Sequence, residues 1–238
     1  MFIGYPRSGH TLVGFLLDAH PNAIVASQIS GLRYLKHGFS IPQTFSVLVD
    51  NSRHVARVGR EGRPYSYDVP NQWQGRFKKL RVIGDCTGFT RLRRDPDLLR
   101  KLREKLGAID LKLIHVIRNP YDNISTMKIR SGETLLASVR RYFSMCEMVE
   151  RFKKHVAPDT VYELKHESLI ADARGALRGL CAFVRLGAAE NYVDDCASLV
   201  YKSPHKSRHE VVWTPELIEN VEKQMSRFAH LGGYSYQD

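Results

Sequence analysis

The sequence predicts an α/β protein, a mostly parallel central sheet flanked by helices, with a P-loop-like phosphate-binding turn after the first strand. Three observations predict it. Short apolar runs suited to buried strands, at 2–5, 81–84, 111–117 and 161–164, alternate with longer helical segments, as in a parallel sheet covered on both faces. The first run leads straight into a glycine-bracketed turn, Gly4-Tyr5-Pro6-Arg7-Ser8-Gly9-His10-Thr11, that opens a helix. The third run ends at Arg118 and passes at once into Asn119-Pro120, with the proline near the first turn of another helix.

In chain order, residues 2–5 form a buried strand, and the apolar stretch 10–19 is a helix stopped by His20-Pro21. Residues 22–52 read as helical with breaks. The stretch 59–75, rich in glycine, proline, tyrosine and tryptophan, reads as a long ordered excursion. The second strand covers 81–84, the mixed-charge stretch 91–105 reads as a solvated helix face, and the third strand covers 111–117. A long amphipathic helix occupies 133–155 and the fourth strand 161–164; helices follow at 172–185, 190–200 and 214–230. No linker composition divides the 238 residues, so a single domain over 1–238 is expected.

Composition narrows the function. With 43% hydrophobic and 26% charged residues the chain has the makings of a soluble globular protein. No apolar run approaches the roughly 20 residues that span a bilayer, and the start shows no basic segment or small-residue cleavage site of a signal peptide. Cys86, Cys146, Cys181 and Cys196 form no C-x-x-C pair, which argues against zinc and fits reduced thiols in a cytoplasm. The net charge of +11 suits nucleic acid, an anionic membrane face or an anionic small ligand. The motifs below assign it to the last of these, with no nucleic acid expected.

Gly4 to Thr11 has P-loop spacing, with His10 where the lysine of that motif stands. A strand-to-helix turn aims backbone N–H groups of Ser8, Gly9, His10, Thr11 and Leu12 at one point, and the helix dipole adds positive potential there. Gly9 permits close approach of a ligand, Arg7 supplies a cation, and Ser8 and Thr11 add hydroxyls. The missing lysine weakens a kinase or ATPase reading, and no convincing Walker-B aspartate is present, so no metal is expected. The second anion site is Arg118, at the carboxyl end of a strand, where open α/β sheets bind ligands. Thr126 lies eight residues on, about two helical turns, so that its hydroxyl can approach the same anion.

These two segments resemble the sulfotransferase superfamily. Pro6-Arg7-Ser8-Gly9 with the Leu-Leu-Asp-Ala-His-Pro-Asn at 16–22 is similar to its 5′-phosphosulfate loop, close to that of the tyrosylprotein enzymes and bacterial-type members. The run 118–126 is similar to its 3′-phosphate motif. The resemblance implies a donor, 3′-phosphoadenosine-5′-phosphosulfate (PAPS), with adenosine 3′,5′-bisphosphate as product and Arg118 and Thr126 on the 3′-phosphate. It puts His166 at the position of an aromatic that contacts adenine. It also makes 203–213 a loop closing over the nucleotide, with Lys206 and Arg208 as a second grip on the 3′-phosphate. The implied reaction moves a sulfuryl group to a hydroxyl or amine, on a small molecule before a peptide or glycan. Alternatives are a donor-binding relative without activity and a P-loop kinase of a small molecule. Tyr65, Tyr67 and Trp73 either line the acceptor pocket or simply pack.

Two positions depart from the family pattern. Gln28 stands near a glutamate of tyrosylprotein-like relatives, and Cys86 follows Gly84-Asp85 where many bacterial-type members have lysine. Asp85 at a strand end is one candidate general base. His10, His37 and His54 are others, and a slow protein, a reactive acceptor or an inactive relative needs none. Arg7, His10 and Asp85 are thus the candidate catalytic residues.

Overall fold

The computed structural model describes residues 1–59, 67–87, 104–107 and 109–238. Tyr65 and nearly all of the mixed-charge stretch 91–105 lie outside the described residues. The strands are β1 (Phe2–Ile3), β2 (Ala23–Ala26), β3 (Val82–Asp85), β4 (Leu113–Ile117) and β5 (Val161–Lys165). The helices are α1 (His10–Asp18), α2 (Gly31–Lys36), α3 (Ile41–Val58), α4 (Pro120–Ser131), α5 (Leu135–Lys153), α6 (His166–Ala171), α7 (Ala173–Phe183), α8 (Glu190–Ser198) and α9 (Pro215–Met225).

Among the described residues every strand pair is parallel. The expected central sheet is present as two ladders, β1-β4-β5 and β2-β3. Ile3 pairs with His115, Ile117 with Lys165, and Ala26 with Asp85. β2 was not expected, since 22–52 read as helical. Ala23-Ile24-Val25-Ala26 is buried at every position, and so short an apolar run carries no periodicity to separate strand from helix. α6 was also not foreseen, and α3 runs on to Val58.

Alternation along the strands sorts the core into two layers. Phe2, Ile114 and Val116 join Leu12, Leu16, Leu177 and Tyr192 on the face covered by α1, α7 and α8. Ile3, Leu113 and Ile117 join Ile124, Tyr142 and Phe143 on the face covered by α4 and α5. The helix starts are mostly capped: Ser40, Asn119, Thr134, Asp172 and Thr214 each accept a backbone N–H of the helix that follows. α1, α2, α6 and α8 start without a side-chain cap.

Asp18, at the end of α1, ties three segments together. Its carboxylate accepts the N–H of Val25 at 2.6 Å, the hydroxyl of Ser52 at 2.8 Å and the N–H of Gly75 at 3.2 Å. Burial nonetheless pushes its pKa up to about 6. His115 and His230, whose rings lie 4.9 Å apart, are pushed down to about 4, first of all by burial. The signs oppose. The folded chain refuses protons on these histidines that the unfolded chain takes up below pH 6.5, so stability falls as pH drops from 6.5 towards 4. Asp18, with a raised pKa, contributes the reverse between pH 4 and 6 and partly offsets this. Urea midpoints are expected to fall across this window, and midpoints that rise on acidification would show that the histidines do not dominate.

In the segment 67–75 both aromatic side chains are packed against neighbours. Tyr67 lies 5.6 Å from the Phe15 ring, and Trp73 is flanked by Arg76 and Lys78 at 5.5 and 5.1 Å.

Candidate active site

β1 ends at Ile3, directly before the turn, and the backbone from Gly4 to Gly9 bends through left-handed conformations at Gly4 (φ 124°), Arg7 (φ 71°) and Gly9 (φ 95°). A left-handed conformation is uncommon for a residue with a side chain, so Arg7 marks a turn held by its surroundings. The hold comes from behind. Asn123 on α4 donates its side-chain amide to the Pro6 carbonyl at 2.9 Å, and Arg118 donates to the Arg7 carbonyl at 3.3 Å. The Arg7 side chain itself is exposed.

α1 starts at His10 with Gly9 as its N-cap and no side chain capping it. The first N–H groups of this helix are therefore open to an anion, in contrast to the capped helices. Ser8 is buried, with its Oγ 3.3 Å from His10 Nδ1. A Cβ built on Gly9 would come within 2.5 Å of His166 Cδ2, so glycine is required here by the close approach of that ring as well as by φ.

Arg118 is 7% exposed. Its guanidinium donates to four neutral oxygens: the Arg7 carbonyl, Thr126 Oγ1 at 3.2 Å, the His205 carbonyl at 2.5 Å and Ser207 Oγ at 3.3 Å. Its Nε has no partner, and among the described residues no carboxylate lies within ion-pair distance. Burial lowers its pKa from the ordinary value, while Asp122 acts the other way. A buried cation without a bonded counter-ion is costly, and such a site favours an incoming anion. The Nδ1 of His166 is likewise buried without a partner. Burial, then the charge of Arg118, pushes the pKa of this ring down to about 4, so it is neutral near pH 7. Arg118 meets Thr126 and the Arg7 carbonyl, and the His166 ring lies against Gly9 of the phosphate loop.

Other expected residues are placed differently. Arg208 is not directed at an anion site. It is 2% exposed, grips Asp122 with Nε at 2.9 Å and Nη2 at 2.6 Å, and donates Nη1 to the carbonyls of Ser235 and Tyr236 at 2.9 Å. Its neighbour Ser207 turns inward, bonding Thr126 Oγ1 at 2.9 Å, while Lys206 is exposed. Asp85 is engaged: it accepts Gly31 N–H at 2.6 Å, Thr87 N–H at 2.9 Å and Thr87 hydroxyl at 2.6 Å. Gln28, itself at φ 59°, donates its amide to Thr11 Oγ1 at 3.3 Å and so stands beside the phosphate loop. Cys86 is buried, and a Cβ on Gly14 of α1 would lie 2.7 Å from its Cβ. His37 and His54 are exposed on or beside α2 and α3.

Sequence reasoning missed Ser207 and Asn123, which touch the site, and the pair Asp122–Arg208 behind it. Asn123 falls inside the run 118–126 and Ser207 inside the loop 203–213, so their place was visible and their roles were not.

Residues 109–190 match the model of the Sulfotransferase family. No curated protein matches the sequence. Among solved structures, the sulfotransferase domain of the Synechococcus PCC 7002 olefin synthase superposes with a TM-score of 0.60 at 15% identity, over 96% of this chain and 93% of that one. Mouse sulfotransferase SULT7A1, complexed with PAP, gives 0.56 at 14% identity over 98% and 83%. Sulfotransferase STF9 from Mycobacterium avium gives 0.55 at 10% over 96% and 76%. Residues 109–190 are thus similar to the Sulfotransferase family, and the fold along the chain is the one seen in these solved sulfotransferases.

Proposed function

We propose that the protein transfers the sulfuryl group of PAPS to a hydroxyl or amine acceptor by direct in-line displacement, without a metal, as one domain working in the cytoplasm. The observation that carries this reading is the pairing of an uncapped helix start with Arg118, a buried cation bonded only to neutral oxygens among the described residues. Two anion sites that share the Arg7 backbone suit a nucleotide with phosphates at both ends of its ribose. The residues fit such a molecule: the unpartnered Arg118 Nε and His166 Nδ1 both await a polar group.

The donor supplies an activated sulfuryl group. The amides at the start of α1, with Arg7 and His10, would hold the 5′-phosphosulfate and stabilise charge that grows on the leaving phosphate. Arg118, Thr126 and Ser207 would hold the 3′-phosphate, and His166 the adenosine. For a hydroxyl acceptor, oxygen bonds to sulfur as the bond from sulfur to the phosphate oxygen breaks, its electron pair leaving with the phosphate. The hydroxyl proton passes to Asp85. That carboxylate offers roughly four acceptor positions, and three are in use among the described residues, which leaves one for the acceptor. Asp85→Asn is expected to cut the transfer rate by about 10²-fold and leave adenosine 3′,5′-bisphosphate affinity unchanged. A sulfate-transfer assay with bisphosphate calorimetry reads both. Full activity in the variant would remove Asp85 from the chemistry.

A further inference from the structure

Between the two ladders of the sheet lies a cavity of about 1120 Å³. This is at the upper end of sites for small ligands, which enclose roughly 300–1,000 Å³. Its walls are mainly apolar, with Phe2, Leu17, Val25, Leu48, Ile83 and Ile114 from six different elements. Polar groups gather at its ends. At the carboxyl end of β3 stand Asp85, Thr87 and Ser30; at the amino ends of β3 and β4 stand Arg81 and Lys112, with Arg185 beyond α7. Asp110 lies 3.6 Å from Lys112 and 3.4 Å from Arg185 and offsets part of that charge. With Arg33 and Lys36 of α2 the lining carries five cationic side chains against the two acids Asp85 and Asp110.

The Asp85 end lies close to the phosphate loop. Cys86, the next residue, packs on α1 at Gly14, three residues from Thr11 and so about 4.5 Å along the helix axis. We infer that this cavity is the acceptor site, and that the acceptor is an elongated apolar molecule with a hydroxyl at one end and a carboxylate at the other. The inference rests on the sulfuryl-transfer reading. The hydroxyl meets the free acceptor position of Asp85, and the carboxylate meets Arg81, Lys112 and Arg185. The four residues of β3, at about 3.3 Å each, separate the two ends by about 13 Å. A glycan or peptide would leave its polar groups unsatisfied against these walls.

The probe is ω-hydroxylaurate, with dodecanol as the comparison lacking the acid, titrated calorimetrically into the full chain without nucleotide. The hydroxy acid is expected to bind at least about tenfold more tightly than the alcohol. Val82→Trp, which fills the cavity from β3, is expected to weaken it by a further tenfold or more, about 1.4 kcal/mol, with adenosine 3′,5′-bisphosphate affinity unchanged as proof of folding. Arg81→Glu is expected to weaken the acid and not the alcohol. No binding to the unmodified protein, equal binding of acid and alcohol, or hydroxy-acid binding unchanged in a Val82→Trp protein that still binds the bisphosphate would each overturn the inference. Hydroxy-acid binding without bisphosphate binding would sink the donor reading and leave the cavity assignment standing. The reverse result would sink the cavity assignment alone.

Discussion

Asp122→Ala is expected to destabilise the fold by about 3–5 kcal/mol, the cost of leaving a buried charge without its partner. Asp122 and Arg208 are each 2% exposed at their side chains and meet at 2.6 Å, and the Asp122 carboxylate also accepts the Arg208 backbone N–H at 3.0 Å. The consequence extends to the site. Ser207 and the His205 carbonyl reach Arg118 because the turn Ser207–Glu210 is pinned to α4 by this pair. Arg208 in turn holds the carbonyls of Ser235 and Tyr236, so the C-terminal segment is fastened to the same point. Donor affinity should therefore fall along with stability. The double replacement Asp122→Leu with Arg208→Met should recover much of the stability, since neither charge is then stranded, without restoring donor affinity in full. Urea unfolding of the three variants reads this. A loss under about 1 kcal/mol in the single variant would mean that the pair is solvated in solution.

Arg118→Met is expected to do the opposite. Charge-assisted hydrogen bonds to a buried anion are worth about 1.5–3 kcal/mol, so adenosine 3′,5′-bisphosphate affinity should fall by about 10- to 150-fold. The fold should change by less than about 1 kcal/mol. The variant gives up four hydrogen bonds to neutral oxygens, and it is also relieved of a cation buried without a bonded carboxylate. Calorimetry and urea unfolding on one preparation separate the two effects. If the unfolding midpoint collapses in step with affinity, Arg118 is a brace for the Arg7 carbonyl before it is a ligand for anything.

The parts of this account legible in the sequence are those with local spacing. The turn from Gly4 to Thr11 and the step from Arg118 to Thr126 are both set by how a strand hands over to a helix, and the structure brings them together. What stayed hidden depends on partners distant in the chain. Asp122 and Arg208 are 86 positions apart, and Arg118 and Ser207 are 89. Arg208 reads as an anion-binding residue in a basic loop until Asp122 is seen beneath it. β2 stayed hidden for a different reason: four buried residues are too few to show a period. The base is still less legible. Asp85 and Gln28 are both ordinary hydrogen-bonding residues by spacing; the bond to Thr11 puts Gln28 beside the phosphate loop, whereas Asp85 bonds Gly31 and Thr87, which lie outside that loop.

The central claim is that the chain carries two anion sites built for a nucleotide phosphorylated at both the 3′ and 5′ positions. The direct measurement is calorimetric titration of the unmodified protein with adenosine 3′,5′-bisphosphate and with ATP, each in the presence of a chelator of divalent metals. The account predicts that the bisphosphate binds at least about tenfold more tightly than ATP, because only it places a phosphate on Arg118, Thr126 and Ser207, and that the chelator leaves this binding unchanged. ATP binding as tightly as the bisphosphate, or bisphosphate binding that disappears with the metal, would contradict it.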